Sequence, residues 1–154
     1  MKPELVGRLL SNHGLALVAR MLLTFPFWCS GLVKAIDFQG GVAEMAHFGL
    51  EPAAAFNIAT IVVQLGGSAL VIMNRWTWLG AGALGVFTAL TIPLVHHFWS
   101  LEGERALIAL HTTTEHIGMI GGLVLAAILG QVRHRRDGSD LPRGKAAHEA
   151  AVIA

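Results

Sequence analysis

His111, Glu115 and His116 stand inside an apolar run, residues 106–130, that is long enough to cross a bilayer as a helix. Ionisable groups are rare at that depth, because a charge near the bilayer centre costs about 2.5 kcal/mol or more, so a partner or a function is expected. His111, Glu115, Gly118 and Gly122 recur at helical spacing and share one face, polar toward one end and small toward the other. The Gly-x-x-x-Gly from 118 to 122 would let a neighbouring backbone approach closely. This face is expected to point inward, with the rest of the chain arranged around it. A carboxylate beside imidazoles can take up and release protons, which a quinone site needs because electron transfer to a quinone is coupled to protonation. On that reading Glu115, with His111 or His116, is the proton-handling group.

Other residues could serve the same chemistry. Gln64 lies near the middle of a second apolar run, just before Gly66 and Gly67, where it would bond across to another helix or to a quinone oxygen. Arg20, Thr24, Phe27, Gly31 and Lys34 share a face of the first run, so Arg20 and Lys34 could steady charge. Lys34, near a helix end, could equally snorkel to the interface. Phe27, Trp28 and Phe87 would suit the walls of a flat ring. Histidines and carboxylates also ligate haem or metal, but their loose spacing here argues against both, and Glu44 with His47 alone is a poor ligand pair. A third reading makes the polar residues interhelical glue without chemistry, in a protein that packs against other membrane proteins or a second copy of itself. A single cysteine, Cys29, rules out an internal disulfide, a Cys-x-x-Cys pair and a cysteine zinc site.

These residues need helices to position them. Of 154 residues, 54% are hydrophobic and 14% charged, a balance on the membrane side of soluble norms. The length fits one domain, and the pattern predicts an all-α integral membrane four-helix bundle with spans at about 14–35, 53–73, 78–95 and 106–130. Residues 1–13 read as an interfacial lead-in. The 36–52 connector is expected to break at Gly40 and Gly41 and to form about two turns of interfacial helix over 42–50. Pro52 opens the second span. Arg75, Trp76 and Trp78 mark a basic, aromatic turn between spans two and three. Residues 131–154 are charged and aperiodic, and read as a disordered tail.

Lysine and arginine counts set the orientation. Lys2, Arg8, Arg75, Arg133, Arg135, Arg136, Arg143 and Lys145 fall on the side of both termini, against Lys34 and Arg105 on the other. The positive-inside rule therefore puts N- and C-termini in the cytoplasm of a bacterial cell, with the protein in the inner membrane. The arginine cluster at 133–136 reads as this topology signal, and no nucleic-acid partner is expected. At about 1.5 Å of rise per residue, Gln64 and Glu115 fall at similar depth. Together with His96, His97, Lys34, Asp37, Glu44 and His47, they sketch a polar funnel that opens outward and ends at Gln64 and Glu115.

The order of these elements resembles the DoxX family of small four-helix membrane proteins. The residues that carry the likeness are Arg20, then Phe27, Gly31, Lys34, Asp37 and Phe38. They continue with Gln64 before Gly66 and Gly67, Arg75, His96 with Phe98 and Trp99, and Gly121, Gly122 and Leu123. The resemblance covers roughly residues 8–130. It implies a four-helix membrane bundle, similarity to the membrane subunit of thiosulfate:quinone oxidoreductase, and a more distant likeness to membrane partners of thiol-handling proteins. Two departures stand out. Gln64 occupies a position that usually holds Glu, and Glu115–His116 stand where Lys-Asn is common. Either the acid has moved from span two to span four, or the chemistry is altered or absent. The expectation is a membrane subunit coupling a redox partner to quinone, with a non-catalytic scaffold as its rival.

Overall fold

The computed structural model describes residues 3–139, with the side chains of the last helix described as far as Arg133. The chain forms α1 (Pro3–Leu10), α2 (His13–Ile36), α3 (Phe38–His47), α4 (Ala53–Ile72), α5 (Thr77–Val95) and α6 (Gly103–Ser139), with a 3-10 turn at Phe98–Ser100. Four helices are long and apolar enough to cross a membrane. α2 and α5 run from the end of the bundle that holds α1 to the opposite end, named the outer end after the lysine and arginine bias, and α4 and α6 return. No strand occurs among the described residues.

Local chemistry sets the breaks between helices. Asn12 separates α1 from α2: its Oδ1 accepts from the N–H of Gly14 at 2.7 Å and of Leu15 at 3.3 Å. Such a cap contributes about 1 kcal/mol. Asp37 both ends α2 and opens α3, its Oδ1 accepting from Gly40 N–H at 3.0 Å. α3 stops at Gly49, whose φ of 71° is easy only for glycine, and Leu50 N–H returns to Met45 O at 3.0 Å. Gly40 and Gly41 do not break the connector as expected. They lie inside α3, and Gly41 is buried where a Cβ would meet the Asn57 side chain at 2.4 Å. Glycine here serves a close helix approach, with Asn57 Nδ2 donating to Phe38 O across the contact at 3.2 Å.

The transmembrane core is small. Phe27, Val71, Ala81, Leu84 and Leu123 form its buried apolar cluster. α4 and α5 cross tightly at glycines: a Cβ on Gly80 would stand 2.6 Å from the Gly67 carbonyl oxygen. Lipid tails are as apolar as leucine, so this packing, not burial from water, holds the pair together. Two buried threonine hydroxyls are satisfied within their own helices, whereas Ser68 Oγ meets no partner among the described residues. Thr24 Oγ1 donates to Arg20 O at 2.8 Å and Thr88 Oγ1 to Leu84 O at 2.7 Å. The Arg20–Lys34 face packs as its spacing suggests at its centre, where Thr24, Phe27 and Gly31 are buried.

α6 is the outlier. Only Ala109, Thr113 and Leu123 are buried among its described side chains. It lies along α5 and touches α2 lightly, chiefly where a Cβ on Gly122 would meet Leu23 Cδ1 at 2.9 Å. It also continues past the expected end of the span through Ser139, so 131–139 are helical; the remaining tail, 140–154, lies outside the described residues.

Candidate functional site

A cavity of about 430 Å³ occupies the outer half of the bundle, between α2, α3, α4, α5 and α6. Ligand pockets commonly fall between about 300 and 1,000 Å³. Its walls are apolar and partly aromatic, with Phe56, Phe87, Met45 and Leu94 among them, and its polar lining includes Gln64, His96 and His116. At its mouth Lys34 and Glu44 form a salt bridge, with the lysine side chain 11% exposed and the glutamate 48%.

Each polar group is held by backbone that leaves it free to act. Gln64 is brought in where α4 packs on α2 at Gly31, and is 4% exposed. Its Oε1 finds no partner among the described residues. His116 turns its ring toward His96, centroids 5.0 Å apart and planes at 73°. The Nδ1 of His116 is likewise buried and without a partner among the described residues. Thr113 pins the end of α5 to α6, its Oγ1 bonding to Ala109 O at 2.8 Å and to His96 O at 3.4 Å. Orphaned polar atoms inside an apolar chamber are costly unless a ligand or water meets them. The chamber therefore presents an amide and two imidazoles to whatever occupies it.

Several expected site residues fall elsewhere. His111 and Glu115 are exposed on α6 and do not line the cavity, so the funnel ends at Gln64 and His116. The inward stripe of α6 is Ala109, Thr113, His116, Ile120, Leu123 and Ala127, two positions away from the expected one. Two residues turn a helix by about 200°, which carries Glu115 round toward lipid. Gly118 and Gly121 have open space where a Cβ would be, and only Gly122 of that motif meets another helix.

The aromatic wall also differs. Phe27 is a core residue that supports Phe87 from behind, edge to face at 6.5 Å, and does not line the cavity. Trp28 is half-buried, its Nε1 donating to Met21 O at 3.2 Å. Lys34 does reach the cavity, whereas Arg20 lines a separate one at the termini end. Glu44 is engaged by Lys34, and His47 is exposed against Phe48. Among the described residues no three His, Cys, Asp or Glu side chains converge as metal ligands. The sequence puts His96 in the funnel but does not disclose its pairing with His116 or the Phe56 wall; the apolar stripe of α6, rather than its charges, is the signal that leads to His116.

A bundle of four transmembrane helices around a lined internal cavity defines a small multi-pass membrane protein. Residues 15–97, over half of the chain, match DoxX, and the protein belongs to that family. It is similar to the inner membrane protein YphA of Escherichia coli (strain K12), 25% identical over 116 residues that cover 75% of this chain and 83% of that one. No solved structure matches. The chain is a multi-pass inner-membrane protein. The family match ends at His97, so His116 and all of α6 stand beyond it.

Proposed function

We propose that this protein is the membrane subunit of an oxidoreductase system, and that its outer cavity receives the ring of a quinone. The observation that carries the reading is that Gln64 and His116, each with a buried polar atom that has no partner among the described residues, line an apolar chamber with aromatic walls. A quinone is a flat apolar ring with an acceptor oxygen at each end. The Gln64 amide can donate to one oxygen and, turned over, accept from the hydroxyl that replaces it on reduction. Imidazole carries the proton load: reduction takes two electrons and two protons, and His116 with His96 can supply a proton and be reloaded from the mouth. The electrons would come from a redox protein docking at the outer end. The similarity to a quinone-linked membrane subunit that the DoxX resemblance implies agrees with this reading. Equilibrium binding of a short-tailed quinone to the protein in mild detergent tests it. One saturable site in the wild type, weakened about fivefold in Gln64→Leu, is expected. Unsaturable partitioning in both would overturn the reading.

A second reading, a membrane assembly protein, is favoured by a specific observation. Glu115 and His111 are exposed at bilayer depth and form no ion pair among the described residues, on a helix that buries little else. A partner helix covering that face would relieve the cost. Loss of a co-purifying protein in Glu115→Leu, with quinone binding absent throughout, would favour it.

A further inference from the structure

A second cavity, about 560 Å³, opens between α2 and α6 at the end that carries the chain termini. Arg20 and Arg133 both line it, together with Ser11 and Asn74, and none of the described residues that line it is acidic. The Nε of Arg20 is buried and meets no hydrogen-bond partner among the described residues. Arg133 Nη2 contacts His13 Nε2, which fixes one edge of that guanidinium and leaves its other N–H groups to point elsewhere. Two guanidiniums sharing one cavity without a carboxylate repel each other, and a half-buried one is poorly solvated as well. An anion between them would relieve both penalties, and a phosphate matches the fork of arginine donors with paired hydrogen bonds.

The rest of the cavity says what the anion is attached to. Leu23, Leu125 and Leu129 wall it with hydrocarbon. Among the described residues α2 and α6 touch lightly, at Gly122 against Leu23 and at Arg133 against His13, and the groove lies between these two contacts. Arg20 lies seven residues into α2, about 10 Å along the helix, from where its long side chain can reach back toward the headgroups. We infer that this groove binds an anionic phospholipid, its phosphate held between Arg20 and Arg133 and an acyl chain lying against Leu23, Leu125 and Leu129. Basic pockets between transmembrane helices are suited to such headgroups, and the lysine and arginine bias favours the leaflet in which anionic lipids attract them.

Native mass spectrometry of the full chain, extracted from vesicles of equal phosphatidylglycerol and phosphatidylcholine, tests the assignment. Wild type should keep phosphatidylglycerol through delipidation and shed phosphatidylcholine. Arg20→Gln with Arg133→Gln should reduce the retained anionic lipid about thirtyfold, at roughly one arginine's worth of membrane attraction each. Arg133→Gln alone, at the cavity rim, should lose about fivefold and serves if the double variant fails to fold. Excess inorganic phosphate should leave the lipid in place, because the acyl chain adds to the binding. Equal retention of both lipids, or retention unchanged in a folded Arg133→Gln, would overturn the proposal. Displacement of the lipid by inorganic phosphate would also overturn it, since the site would then take the anion alone.

Discussion

At its outer end α2 carries Lys34, which meets Glu44; near its other end it carries Arg20, which shares a cavity with Arg133 and no carboxylate. The outer cavity is thus neutralised at its mouth and lined deeper with the amide of Gln64 and the imidazoles of His96 and His116. The inner one is left cationic above a hydrocarbon wall. One helix frames two chambers of similar size whose chemistry differs because, among the described residues, a partner acid stands at one end and none at the other. We propose the first for an uncharged ring that exchanges protons and the second for a fixed anion with a tail.

If the chambers are independent, each can be broken without the other. The largest effect is expected from Gln64→Leu with His116→Leu, which removes both orphaned polar atoms of the outer cavity. At about 1 kcal/mol for each hydrogen bond lost, quinone affinity should fall about thirtyfold while retained phosphatidylglycerol is unchanged. Equilibrium dialysis and native mass spectrometry on the same preparation check the two halves. Gly122→Leu is the reciprocal test. A Cβ there already meets Leu23 at 2.9 Å, and a full side chain would plug the α2–α6 groove. Lipid retention should drop about tenfold, near 1.4 kcal/mol, with quinone binding intact. Loss of both ligands in either variant would mean that the two cavities are coupled.

A smaller effect is expected from Lys34→Met, which strands Glu44 at the cavity mouth. Glu44 is half exposed, so the pair is worth at most about 1 kcal/mol, and quinone affinity should weaken about fivefold or less. Raising the salt concentration should weaken wild-type binding toward the variant's, a trend visible in titrations at low and high ionic strength.

What the sequence could and could not disclose follows from what lipid does to polarity patterns. Span positions were legible, because a run of apolar residues long enough to cross is a one-dimensional signal. The inward face of α2 was legible at Thr24, Phe27 and Gly31, where a polar or small residue recurs between bulky ones. Gln64 could be placed at mid-depth by counting. The face of α6 was misjudged because its ionisable residues were taken to mark the interior. In water an apolar stripe identifies the buried side of a helix. In lipid both sides are apolar, and Ala109, Thr113, Ile120 and Leu123 give little contrast with the leucines and isoleucines outside. His116 sits one residue from Glu115, about 100° round the helix, and that single step decides which of them meets the cavity. Gly40 and Gly41 misled for a related reason: glycine breaks helices in water, but within the membrane and at its surface it also lets them touch.

The account turns on His116, not Glu115, facing the quinone. Quinone extracted from the protein after purification in mild detergent measures this directly, for wild type, His116→Leu and Glu115→Gln side by side. Near-stoichiometric quinone in wild type and Glu115→Gln, with depletion of about fivefold or more in His116→Leu, is the expected result. Depletion in Glu115→Gln with quinone retained in His116→Leu would contradict it and return the site to the outer face of α6.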